Sequence, residues 1–162
     1  MEFRGKIVRG QGDHAKLGIP GKGMLAHAPA DWPDILYPGS LNVLISIDNL
    51  PKELQKLGDG THIQKLDNGM LKPAFVIEQR MILNNTIGPN ERVKGRGDAQ
   101  VWRVKLTVEK SKECLNCWVL RRLDSAMTRH IEIVAEKYLR GILKLNDGDD
   151  VIVSFDGEHN DW

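Results

Sequence analysis

A chain of 162 residues is long enough for one domain with a genuine core and too short for two large ones. Its 23 Lys and Arg against 22 Asp and Glu leave a net charge of +1, which argues against a dedicated nucleic-acid binder, whose basic face shifts the total strongly. No apolar run approaches membrane-spanning length, and Met1-Glu2-Phe3-Arg4 lacks the apolar core of a signal peptide, so the expectation is a cytoplasmic protein with no membrane partner.

In chain order, Phe3, Gly5 and Ile7 alternate with Arg4, Lys6 and Val8, the period-2 signature of a first strand reaching Arg9. It runs into a glycine-rich segment from Gly10 to Gly23, which reads as a loop for close backbone approach or as a flap. Met24 to His27 reads as a short return strand. Pro38-Gly39 is a turn signal, and the strand after it places Val43, Ile45 and Ile47 on one face. Ser40 and Asn42 share a side at the same period, so both oxygens can meet one hard cation such as Mg²⁺. The alternative is that the two side chains satisfy the backbone of the turn.

Pro51 opens a short helix through Leu57, with Leu50, Leu54 and Leu57 on one side. Asp59-Gly60 and Asn68-Gly69 are turn dipeptides flanking a short strand from Thr61 to Leu66. Pro73 to Leu83 is apolar enough for a central strand, and Asn84 to Gly97 reads as a loop in which Arg92, Lys94 and Arg96 are solvated. Gln100 to Val108 alternates, with Leu115 to Leu123 as its hairpin partner. Cys114 and Cys117 supply half of a zinc site and follow a polar run, so they read as two thiols in a hairpin turn. Ile131 to Ala135 reads as a strand, and Tyr138, Leu139, Ile142 and Leu143 give Glu136 to Leu143 a helical stripe. Asp147-Gly148-Asp149 turns into a last strand, Val151 to Phe155. The fold expected is mainly β, a compact β-barrel with small helical additions, as one domain over 1–155 with a polar tail at 156–162.

Two separated stretches resemble the archaeal-type CTP-dependent riboflavin kinases. Tyr37-Pro38-Gly39-Ser40-Leu41-Asn42-Val43 is similar to that family's P-x-G-T-L-N-V segment, with Ser in place of Thr. Ile131-Glu132-Ile133-Val134-Ala135-Glu136-Lys137-Tyr138-Leu139-Arg140, followed by Leu143-Lys144-Leu145-Asn146-Asp147-Gly148-Asp149-Asp150-Val151, is similar to its L-E-I-I-A-P-x-x-L-R…L-x-L-x-D-G-D-x-V ending. The resemblance implies a cradle-loop barrel that phosphorylates the riboflavin 5′-hydroxyl to give FMN. CTP and riboflavin are then the substrates, CDP and FMN the products, and Mg²⁺ the cofactor.

By the same resemblance the metal ligands are Ser40 and Asn42, and the glutamate at the flavin is Glu132. Nucleotide contacts fall on Lys137, Tyr138, Leu139 and Arg140. The family's G-x-G-x-G nucleotide loop corresponds to Gly10-Gln11-Gly12-Asp13-His14-Ala15, with His14 at the third glycine position. A hydroxyl for the flavin comes from Ser125 or Thr128. The rival expectation is a non-catalytic relative that binds flavin or nucleotide as a sensor, which the side chain of His14 in a backbone-approach loop suggests.

Read from the residues alone, Glu132 lies between Ile131 and Ile133 and points away from the face those two bury. That makes it an exposed strand residue; the resemblance implies instead a hydrogen-bond acceptor for the flavin or its ribityl chain, or the general base on the attacking hydroxyl. Arg140, near a helix start, either adds anion affinity or is solvated. Arg121 and Arg122 face opposite sides of a strand, so at most one can clamp a phosphate. Trp32, Trp102 and Trp118 read as core or rim.

Overall fold

The computed structural model describes residues 1–9, 17–46, 50–55, 71–84, 97–123 and 129–156. In chain order its strands are β1 (Glu2–Val8), β2 (Leu17–Gly18), β3 (Leu41–Ile45), β4 (Phe75–Ile77), β5 (Leu83–Asn84), β6 (Ala99–Val108), β7 (Cys114–Arg122), β8 (His130–Val134) and β9 (Asp150–Phe155). Helices among the described residues are short: Lys52–Gln55 and Leu139–Ile142, with 3-10 turns at Lys22–Met24 and Gln79–Met81. None is long and apolar enough to cross a membrane.

The fold is mainly β, and its seven-stranded antiparallel sheet closes in a ring. The β6–β7 hairpin is its longest ladder, in continuous register from Ala99↔Arg122 to Thr107↔Cys114. β8 pairs with β7 and β3, β3 with β1, and β1 with β9. β9 then returns to β6 along Val104–Val108 and closes the ring. β4 pairs with the start of the same strand, at Ala99–Val101. The small β2–β5 sheet stands apart.

Alternation decides what fills the ring. Phe3 and Ile7 on β1, Leu41, Val43 and Ile45 on β3, and Trp102, Val104 and Leu106 on β6 are all buried in one cluster. Ile131 and Ile133 on β8 and Val151 and Val153 on β9 complete it. A second cluster gathers Trp32, Ile77, Ala99, Val101, Trp118 and Leu120 on the other side of β6 and β7. The expected tryptophans are therefore core: Trp32 packs edge-on against Trp118 at 5.0 Å and Phe75 at 4.9 Å. Two of the buried indoles donate to backbone, Trp32 to the Pro20 carbonyl and Trp102 to that of Leu71. Outside, Arg103 lies over the Trp118 ring and donates two 2.7 Å bonds to Asp31, whose carboxyl it holds below the usual carboxylate range.

Four expectations need correcting. Met24 to His27 is not a strand: Lys22–Met24 is a 3-10 turn, its start fixed by the Lys22 N–H on the Pro33 carbonyl, and Met24 is exposed. Pro73 to Leu83 is not one central strand. Phe75–Ile77 is the part of it that pairs with the large sheet, beyond the ring's closure; the Gln79 N–H then bonds the Asp98 carboxylate at 2.9 Å, a 3-10 turn follows, and Leu83 belongs to the separate β5. The helix expected over Glu136 to Leu143 is reduced to Leu139–Ile142. Tyr138 is extended at its start, and Lys144, at φ 51, ends it. Finally, Cys114 and Cys117 lie on β7, not in the hairpin turn, one exposed and one buried. Three residues apart, they point to opposite faces, and burial pushes the Cys117 thiol up to about 12. The expected strand Thr61 to Leu66, the side chains of Ile47 and Leu57, the Arg92–Arg96 run and residues 157–162 lie outside the described residues.

Close packing leaves one position on β1 without room. A Cβ built on Gly5 falls 2.5 Å from the Leu44 carbonyl oxygen and 2.7 Å from Val43 Cγ1. The backbone cannot retreat, because Gly5 is paired with Ile45 on one side and Val151 on the other. Gly5→Ala is expected to lower the unfolding free energy by about 1–3 kcal/mol in urea denaturation. Gly23→Ala, where a Cβ meets nothing, is the control and stays within about 0.5 kcal/mol of the parent. Equal midpoints for the two variants would show that the sheet yields at Gly5.

Candidate functional site

The site begins with what β3 and β8 bury. Leu41, Val43, Ile45, Ile131 and Ile133 fill the ring, and this sends Asn42 and Glu132 to the other face of the sheet. The register sets those two directly opposite each other, and Val8 of β1 faces Asn42 from the other side. A row Val8–Asn42–Glu132 thus crosses three strands. Asn42 is only 2% exposed, which is unusual for an amide side chain.

Before β3 the chain turns at Gly39, whose φ of 93° favours glycine. The Tyr37 N–H donates to the Ala135 carbonyl at 2.9 Å, which lays residues 37–41 alongside the segment after β8. Between them is a cavity of about 330 Å³, lined by Tyr37, Ser40, Ile133, Lys137, Tyr138 and Arg140 among others. That size is at the lower end of small-molecule sites. Asn42 and Glu132 follow and precede the lining residues Leu41 and Ile133 in the chain and are not themselves part of the lining.

Among the described residues, three buried side-chain atoms have no hydrogen-bond partner: Ser40 Oγ, Asn42 Oδ1 and Gln100 Oε1. Two of the three fall on Ser40 and Asn42, the residues whose shared side suggested a cation site. Asn42 does donate its amide to the Ser40 carbonyl, at a long 3.5 Å, but neither oxygen serves the turn backbone. Leaving such atoms unpaired costs about 1–3 kcal/mol each, and no protein group among the described residues offsets that cost. Among the described residues no three His, Cys, Asp or Glu form a metal cluster, and the hydroxyl–amide pair is a different, neutral oxygen donor set.

Positive charge reaches the cavity from the segment after β8. Arg140 donates from one nitrogen to the Val8 carbonyl at 3.2 Å and to Asp147 at 2.8 Å, so its guanidinium is tied to the strand position that faces Asn42. Lys137 is exposed, with no ion pair among the described residues. Leu139 is buried and anchors the segment. The helix here is a single turn, Leu139–Ile142, so anion affinity rests on the two side chains and not on a helix end.

The structure therefore gathers Ser40, Lys137, Tyr138, Leu139 and Arg140 around one cavity, while Asn42 and Glu132 face each other across β3 and β8 and do not line it. Gly10, Gln11, Gly12, Asp13, His14 and Ala15, and both flavin candidates Ser125 and Thr128, lie outside the described residues. Arg121 and Arg122 are both buried, and neither lines the cavity. Sequence reading passed over Tyr37, which stacks on Tyr138 with ring centroids 4.9 Å apart, although it opens the motif that holds Ser40. It also passed over a second cavity on the far side of Ala135, lined by Asp31, Arg103, Trp118 and Glu136, whose arginine is already committed to Asp31.

If the unpaired oxygens serve a ligand and not the fold, removing one is free of structural cost. Ser40→Ala is expected to leave the urea midpoint of the ligand-free protein unchanged or raised. A loss of about 1 kcal/mol, the worth of an ordinary intramolecular hydrogen bond, would instead make Ser40 a structural residue.

No protein-family model matches this chain, and no curated protein matches it.

Proposed function

We propose that this protein is a riboflavin kinase, transferring the terminal phosphoryl group of CTP to the riboflavin 5′-hydroxyl to give FMN and CDP in the cytoplasm. One observation carries the reading: the buried, unpaired oxygens of Ser40, which lines the cavity presenting Lys137 and Arg140, and of Asn42, two residues further along the chain. These are the residues on which the resemblance to CTP-dependent riboflavin kinases puts the metal and the nucleotide.

The donor set fits Mg²⁺, a hard cation that takes oxygen ligands. Ser40 Oγ and Asn42 Oδ1 would hold it, and because both are neutral, most of its affinity has to come from the phosphates of the nucleotide. When bound, such an ion neutralises charge on the phosphate oxygens. Phosphoryl transfer then asks mainly for positioning and charge stabilisation from the protein. Lys137 and the donors of Arg140 that Val8 and Asp147 leave unused bind phosphate oxygens. Glu132, opposite Asn42, orients the ribityl hydroxyl and accepts its proton as the new O–P bond forms and the bond to the CDP oxygen breaks.

The test is FMN formation from riboflavin and Mg²⁺ with CTP, ATP, GTP and UTP in parallel reactions. Turnover is expected with CTP, abolished by a chelator and reduced on the order of a hundredfold in Asn42→Ala. Glu132→Gln is expected to lower kcat with KM for CTP little changed. Flavin or nucleotide binding without turnover from any of the four would move the protein to the sensor reading, and absence of both turnover and binding would sink the proposal.

A further inference from the structure

The cavity has an aromatic wall that its charged residues do not explain. Tyr37 and Tyr138 come from distant parts of the chain, stack with 26° between their planes, and are 42% and 49% exposed. Neither ring is needed to hold its own backbone. Tyr37 is tied through its N–H to the Ala135 carbonyl, and the segment carrying Tyr138 is anchored by buried Leu139 and Leu143. Two large rings therefore sit half in water beside about 330 Å³ of open cavity, where packing gives them little to do.

Gly141 leaves room for one of those rings. A Cβ on Gly141 would come within 3.0 Å of Tyr138 Cδ1 and 3.6 Å of its Cε1. With Leu139 and Leu143 holding the helical turn in place, the Tyr138 ring is the part that must move. Glycine is a poor residue inside a helical turn, which makes its presence at this contact informative.

We propose that Tyr37 and Tyr138 together seat the planar ring of the nucleotide, and that Gly141 is a positioning residue whose missing side chain leaves Tyr138 room in the stack. The proposal rests on the nucleotide reading of the cavity and adds Tyr37 to it as a specificity-determining residue. A ring laid on the pair leaves the phosphates to Lys137 and Arg140 on the same wall. Stacking is tolerant of ring identity, so the pair separates ligands with a base from ligands without one.

Equilibrium binding of CTP and of inorganic triphosphate, measured side by side with Mg²⁺ by calorimetry, separates the ring from the phosphates. The parent protein is expected to bind CTP more tightly than triphosphate. Tyr37→Ala should weaken CTP on the order of tenfold and leave triphosphate unchanged, while Tyr37→Phe retains the parent affinity. Gly141→Ala should weaken CTP several-fold with its melting temperature unchanged or raised, because alanine is the better helix former. Equal losses for both probes, or CTP affinity untouched in Tyr37→Ala and Gly141→Ala, would overturn the ring seat and leave the nucleotide reading standing. A parent protein that binds neither CTP nor ATP, GTP or UTP would overturn both.

Discussion

The arrangement depends on how β3 is held. It is hydrogen-bonded to β1 on one side and β8 on the other, and Leu41, Val43 and Ile45 commit one of its faces to the core. With period 2, that commitment leaves Asn42 no choice of face, and a slip of one residue would put the amide among the aliphatic side chains of the ring. Burial energy of several large side chains therefore fixes the position of one amide. The same ladder places Glu132 beside it, and Val8, whose carbonyl receives Arg140, on its other side. The polar row is an outcome of apolar packing on the reverse of the same strands.

A neutral pair of oxygens next to two cations makes a site with little affinity of its own for a metal ion. Carboxylate cages bind divalent cations without help; a hydroxyl and an amide do not. In the proposed reading, anion and cation are each other's main partners, and the protein's part is to hold both in one place. Arg140, restrained by Val8 and Asp147, loses less freedom on meeting a phosphate than a free side chain would.

Much of the fold was legible because it follows from local alternation. β1 and the β6–β7 hairpin fall within a residue or two of where the pattern puts them. What failed were segments in which a polar contact from elsewhere competes with an apolar run. Asp98 takes the Gln79 N–H and interrupts Pro73 to Leu83, and extended Tyr138 shortens the expected helix. β7 was misread at its cysteines because it begins one residue ahead of the expected strand, at exposed Cys114, which pairs with Thr107. The pairing of Asn42 with Glu132 and the meeting of Tyr37 with Tyr138 are matters of register between distant strands, which no local period records.

β6 carries one further consequence. Its Trp102, Val104 and Leu106 belong to the cluster inside the ring, while Ala99 and Val101 belong to the outer cluster around Trp32. It is also the strand on which β9 closes the ring and β4 attaches. The two clusters thus share a backbone, and the outer one is tied to the ring through β6 and β7. In hydrogen exchange, amides of β4 and of the ring should open as one cooperative unit, so a substitution in the Trp32 cluster is felt at β3 on the other side of the sheet.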